Sequence, residues 1–247
     1  MPKLYGAPRS DITRDQGSFR IRFNFPGRNH PTHDDHGYGP LSTVVESFMD
    51  PGTLIPMHQH RDEEIISWVP DGVMRHDDRD GNELVTDAEH LMIMNAGRGF
   101  WHEERTLPGD PPLRMLQIFV RPHSLGLEPK IQHEPIADPV ENRWRRLFGP
   151  KGSDAPLSVR NDVECYDVPI GRDTAVELPS KPDRHTYFYV FDGTVRSDGE
   201  RFESTESGLV VGGGTDSVTL TAETDALLVA FVIDPDAPIT RQGTIGR

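Results

Sequence analysis

A chain of 247 residues, 34% hydrophobic and 27% charged, is long enough for one large domain or two small ones, and too apolar in its periodic segments to be disordered. A formal net charge of −14 argues against nucleic acid or an anionic membrane as a direct partner, and no apolar run approaches the roughly 20 residues of a membrane span. The first residues lack the apolar core of a secretory leader, and the single cysteine, Cys165, cannot form an intramolecular disulfide, so the expected location is the cytoplasm. In chain order the strand-like segments are 41–49 (LSTVVESFM), 64–69 (EIISWV), 91–94, 113–120 (LRMLQIFV), 187–191, 208–211, 217–221 and 226–233. Pro70, Asp71 and Gly72 close the second of these, and Asp80-Gly81 is a hairpin signal. Short segments punctuated by Gly, Asp, Asn and Pro predict an all-β sandwich or barrel, with one short helix over 142–148. Cys165, beside Tyr166 on an apolar segment, reads as a small core residue.

The sequence repeats itself. The octapeptide Trp68-Val-Pro-Asp-Gly-Val-Met-Arg75 resembles Tyr189-Val-Phe-Asp-Gly-Thr-Val-Arg196, 121 residues further on, and each copy is followed by Asp-Gly. That spacing is too long for a solenoid unit and predicts two related domains, 1–135 and 136–247. Their junction is expected in the Pro-, Gly-, Asp- and Arg-rich stretch 129–156.

The chemistry concentrates in the first repeat. Gly52-x5-His58-x-His60 is followed by Ala96-Gly97-x-Gly99-x-x-His102-x-Glu104. Residues i and i+2 of a strand share a face, so His58 and His60 project together, as do His102 and Glu104. Two such pairs on neighbouring strands would gather three imidazoles and a carboxylate around one divalent ion, a donor set that suits Fe, Mn, Ni, Zn or Cu. Such a site carries a net charge near +1 and favours an anionic substrate oxygen, and an open coordination position would make it catalytic. Glycines at 52, 97 and 99 fit the tight turns before each ligand strand. Glu103 is the competing carboxylate but faces away by parity, and Glu64 reads as a supporting or surface group. His30, His33 and His36, in a loop rich in Asn, Pro, Asp and Gly, form a weaker second cluster. His76, His90, His123, His133 and His185 read as surface or satisfied core residues. Adding the repeat offset to His58 and His60 gives Pro179 and Lys181, and no histidine follows His185, so the second domain is expected to bind no metal.

The run from His58 to Gly72 (HQHRDEEIISWVPDG), then Arg75-His-Asp-Asp, Asp80-Gly-Asn and Met94-Asn-Ala-Gly-Arg-Gly-Phe-Trp-His-Glu-Glu104, resembles pirin and the bacterial pirin-like proteins over about 17–233. The likeness is specific in the first half and looser in the second. It implies two cupin barrels (jelly-roll-like β-sandwiches) packed face to face, with one metal, iron first among the candidates, held by His58, His60, His102 and Glu104. It also implies a flavonol (quercetin) 2,3-dioxygenase activity on a small aromatic substrate and dioxygen, or else a non-enzymatic metal or redox sensor that binds a partner protein. In the oxygenase reading Glu104 is both ligand and general base, accepting the flavonol hydroxyl proton, and Phe100 and Trp101 supply either pocket wall or barrel core. A zinc isomerase or hydrolase fits the same ligands. Gln59 stands where proline is common in the family, Glu89 where a turn glycine is usual, and Val-Pro-Asp-Gly where Val-Leu-Glu-Gly is typical; these departures bear on pocket shape.

Overall fold

The computed structural model describes residues 2–212 and 217–245. Among them the strands dominate, and the one helical element is a 3-10 turn at Pro26–Asn29. The first barrel pairs a seven-stranded sheet with a four-stranded one. Across the large sheet the order is Lys130–Pro135, His90–Asn95, Glu64–Asp71, Leu113–Val120, Leu41–Met49, Phe19–Asn24, Thr13–Asp15. Across the small sheet it is Leu54–His60, Phe100–Arg105, Met74–Asp78, Glu83–Thr86.

The second barrel repeats the plan. Its large sheet runs Lys3–Ala7, Ser207–Val211, His185–Asp192, Ala226–Ile233, Val163–Ile170, Arg145–Pro150, Leu157–Val159, and its small sheet Ala175–Glu177, Thr219–Ala222, Thr194–Ser197, Glu200–Glu203. The two copies of the repeated octapeptide begin on corresponding strands, Glu64–Asp71 and His185–Asp192, each third in its sheet.

The two large sheets face each other, and the largest apolar cluster lies between them, with Ile66, Trp68, Leu116 and Ile118 from one side against Tyr187, Tyr189, Val229 and Phe231 from the other. Strands covered on both faces have no solvent side to mark with polar residues, which is why 113–120 and 226–233 read as nearly continuous apolar runs. Each fully buried aliphatic or aromatic side chain here contributes roughly 1.5–3 kcal/mol. Polar groups are paired across the same interface. The Trp68 indole donates to Asp167 at 3.0 Å, and fully buried Glu46 accepts from Arg22, Arg114 and the Tyr189 hydroxyl.

The helix expected over 142–148 does not form. Residues Arg145–Pro150 are a strand paired with Val163–Ile170, and Leu147 and Phe148 are buried in the core between the barrels. Tertiary pairing overrides a local pattern that was short and weakly periodic. Cys165 lies in the same core, as expected, with burial pushing its thiol pKa up. Both ends of the chain cross between barrels. Lys3–Ala7 pairs with Ser207–Val211 of the second barrel, and residues 240–245 return to the first.

Candidate metal centre

The first barrel's small sheet builds the site. Strand Phe100–Arg105 lies between Leu54–His60 and Met74–Asp78, with His102 opposite both His58 and Asp78. Its burial alternates strictly, so Phe100, His102 and Glu104 point inward and Trp101, Glu103 and Arg105 outward. The register against Leu54–His60 slips between His102 and Glu104, because Ile55 and His58 are three residues apart where their partners are two apart. The extra residue falls in Ile55-Pro56-Met57-His58, on an edge strand where proline's missing N–H is tolerated. The turns leading in use glycine as expected. Gly52 and Gly97 have φ of 79° and 51°, and a Cβ on Gly97 would clash with the Leu127 carbonyl oxygen.

Three imidazoles converge. The ligand atoms of His58, His60 and His102 all lie within 4.8 Å of one another, and among the described residues no other group of three or more His, Cys, Asp or Glu does this. The Nε2 atoms of His58 and His60 are 3.0 Å apart, and His102 Nε2 is buried with no hydrogen-bond partner in the protein. Every Nδ1 is occupied. His58 Nδ1 donates to the Pro56 carbonyl at 2.9 Å, His60 Nδ1 to Glu63 at 2.5 Å, and His102 Nδ1 to His76 Nδ1 at 3.1 Å. His76 in turn donates from Nε2 to Asp78 at 3.2 Å. These bonds fix one tautomer in His58, His60 and His102, with hydrogens on the Nδ1 atoms and lone pairs on the Nε2 atoms. Burial lowers the pKa of His58, His76 and His102, which keeps them neutral as a metal site requires. The orphaned Nε2 and the uniform tautomer are what a bound transition metal needs.

Glu104 stands beside this group without being part of it. Its buried carboxylate shares a pocket with His58 and His60, and both oxygens accept from the Gln117 side chain, at 2.7 and 2.8 Å. Burial raises its pKa, against the opposing effects of His60 and Gln117. The pocket has a volume of about 170 Å³, walled by Phe19, Ile21, Phe23, Val45 and Phe119, with Arg14 and Ile245 also lining it.

Comparison with known proteins places the chain in a family. A family model described as pirin matches residues 15–120, and one described as the quercetinase C-terminal cupin domain matches 147–233. The chain belongs to the pirin family. A quercetin 2,3-dioxygenase of Escherichia coli K12 is 26% identical over 199 residues, covering 81% of this chain and 84% of that one. A pirin-like protein of Caulobacter vibrioides is 27% identical over 217 residues, covering 87% and 92%. The crystal structure of the E. coli bacterial pirin YhhW in complex with nickel(II) superposes with a TM-score of 0.77 at 22% identity, covering 94% and 99%. The all-β bicupin architecture expected from the sequence is therefore that of this pirin.

Other sequence readings change. Glu64 neither supports the metal group nor lies on the surface. It is fully buried and pairs with Arg160 and Asn95. Glu63 supports the site instead. His30 and His33 pack edge to face at 6.4 Å, but His36 stands apart from them and the three form no ligand group. His33 bonds the Gly37 carbonyl, His30 packs on Tyr5 and His36 on Phe25. Phe100 joins the barrel core, and Trp101 lies under Arg79 on the outer face, so neither lines the pocket. His76 is a buried core residue with both ring nitrogens bonded, one of the two readings open to it, and it lies against His102. Its alternation with Met74 after the Asp71-Gly72 turn was a legible signal of inward orientation. Gln117, a lone amide in the apolar run LRMLQIFV, was another. In the second barrel the corresponding strands, Ala175–Glu177 and Thr219–Ala222, carry no histidine.

Proposed function

We propose that this pirin is a mononuclear-metal oxygenase of the quercetin 2,3-dioxygenase type, with His58, His60, His102 and Glu104 as the metal-binding set. The observation that carries the reading is the convergence of three imidazoles, two of which, His58 and His60, line an apolar pocket that also contains a buried carboxylate. A bound divalent transition metal would supply Lewis acidity to a substrate oxygen and a partner for dioxygen. Iron is the first candidate, the nickel complex of E. coli YhhW supports nickel, and the donors themselves accept several metals.

The chain's own residues do the rest. Phe19, Phe23 and Phe119 offer faces to a flat aromatic ligand and exclude water. Glu104, with its pKa raised by burial, is suited to take the proton of a flavonol hydroxyl, and Gln117 holds its two oxygens in place to receive it. The three imidazoles are held rigid by Pro56, Glu63 and His76. A metal sensor without a substrate would need no such pocket, so the cavity beside the histidines weighs against that alternative.

The test is oxygen uptake with quercetin by protein loaded separately with iron(II), nickel(II), manganese(II), copper(II) and zinc(II). Metal-dependent uptake, abolished in His102→Ala and strongly reduced in Glu104→Gln that still binds metal, is the expected result. No uptake with any metal at full occupancy refutes the oxygenase reading.

A further inference from the structure

The segment after the last strand of the second barrel does not stay with that barrel. The Pro238 carbonyl accepts from Asn161 Nδ2 at 2.9 Å, and the Thr240 hydroxyl donates to the Pro122 carbonyl at 3.3 Å. Arg241 then grips Asp35 with Nε and Nη2, at 3.0 and 2.9 Å. Past that clamp the segment docks on the loop that follows the ligand strand. The Arg61 N–H donates to Thr244 Oγ1 at 3.1 Å, and the Ile245 N–H donates to Glu63 Oε2 at 3.0 Å. The other oxygen of that same carboxylate, Oε1, orients His60. The approach is tight at Gly243, where a Cβ would lie 2.8 Å from Glu63 Oε2.

Ile245 lines two cavities. One is the metal pocket of about 170 Å³, and the other is an adjoining space of about 500 Å³ bounded by Ile12, Phe25 and His36. Arg14, Ile21 and Phe23 also line both. The metal pocket alone is smaller than the roughly 300–1,000 Å³ typical of drug-sized ligands, so a multi-ring ligand anchored at the histidines has to extend past Ile245.

We propose that residues 240–245 form a strap from the second barrel that completes the metal pocket, with Ile245 as the residue that decides how large a planar aromatic ligand can reach the histidines. The strap's link to Glu63 makes its docking part of what positions His60. The size-selection part rests on the flavonol reading; the closure part does not.

The experiment loads wild type, Ile245→Ala, Ile245→Trp and Arg241→Ala with cobalt(II) and follows two readouts. The first is the rate at which 4-(2-pyridylazo)resorcinol strips the cobalt. Ile245→Ala and Arg241→Ala are expected to lose metal several times faster than wild type at unchanged melting temperature. The second is binding of quercetin and of catechol, a single ring. Ile245→Trp is expected to weaken quercetin at least about tenfold, the scale of a steric change in a pocket, and to leave catechol unchanged. Stripping at the wild-type rate in both variants overturns the strap. Equal effects on quercetin and catechol overturn Ile245 as the size selector. If quercetin fails to bind wild type while stripping accelerates, the flavonol reading and the size selection fall and the strap stands. Failure of wild type to bind cobalt removes the metal site and the inference together.

Discussion

Replacing His76 by phenylalanine tests whether the buried relay Asp78–His76–His102 serves metal binding. The change keeps a flat ring of similar size at a fully buried position and deletes the acceptor of the His102 Nδ1 hydrogen. Asp78 is not orphaned, because the backbone amides of Asp80 and Asn82 and the Asn82 side chain still donate to it. His102 Nδ1–H is, and a buried donor left without an acceptor costs about 1–3 kcal/mol of folding stability. That cost is present with and without metal, so it cancels from the metal-binding equilibrium. What remains is the loss of ring orientation and ligand basicity, for which removing such a supporting partner typically weakens metal binding about 10- to 100-fold, or ~1.4–2.8 kcal/mol. Isothermal titration of metal-free protein with nickel(II) measures the second effect, and urea unfolding of the metal-free protein the first. If the unfolding midpoint falls as expected and nickel affinity stays within about twofold of wild type, His76 is a packing residue and the relay argument is wrong.

Gln117→Leu removes both side-chain bonds to Glu104 without touching an imidazole; quercetin turnover should fall by about 10² or more at unchanged metal content, and full turnover would discard Glu104 as a positioned base. Trp68→Phe deletes a hydrogen bond to the Asp167 carboxylate across the barrel interface and should cost about 1.5–3 kcal/mol in urea unfolding, while oxygen uptake by folded protein is unaffected. His185 gives a pH dependence. Its Nδ1 accepts from the Tyr38 hydroxyl at 2.7 Å, and burial lowers its pKa from 6.5, with Asp234 and Asp236 opposing and His30 adding to the shift. The unfolded chain therefore takes up this proton at higher pH than the folded one. The stability involved is complete above about pH 6.5 and is lost as pH falls below it. The drop in urea midpoint between about pH 7.5 and about pH 5.5 should be smaller in His185→Gln; an identical drop would show that His185 does not carry it.

The features legible in the sequence are those set by period and punctuation. Alternation at His58/His60 and His102/Glu104 gave the correct inward face, and the outward turn of Glu103 followed from the same rule. Segments 113–120 and 226–233 coincide with observed strands because apolar runs of that length, bounded by turn residues, have few other ways to be buried, and the mixed run 41–49 is a strand as well. What stayed hidden depends on contacts distant in sequence. Glu64 was credited with a part that Glu63 plays, because the chain turns after His60: Asp62 takes a positive φ of 51°, and the simple i, i+2 count stops there. The strand at Arg145–Pro150 needs Val163–Ile170 to exist, and nothing local announces it. The exchange of Lys3–Ala7 and the return of residues 240–245 leave no periodic trace at all, since each is defined by the surface it docks on.

The second barrel explains itself through those exchanges. It has no imidazole on the strands equivalent to the ligand strands, yet it keeps a complete large sheet whose inner face is matched to the first barrel's through Tyr187, Tyr189 and Phe231. The candidate metal residues sit on the first barrel's small sheet and the interface on the large ones, so the interface uses none of them. In the first barrel one sheet holds the candidate metal site and the opposite sheet packs on the second barrel. The connection between the two functions runs through Glu63, whose carboxylate receives Ile245 from the second barrel's strap on one oxygen and steadies His60 on the other. The second barrel, with no histidine on the strands equivalent to the ligand strands, thus supplies a wall to the pocket of its neighbour.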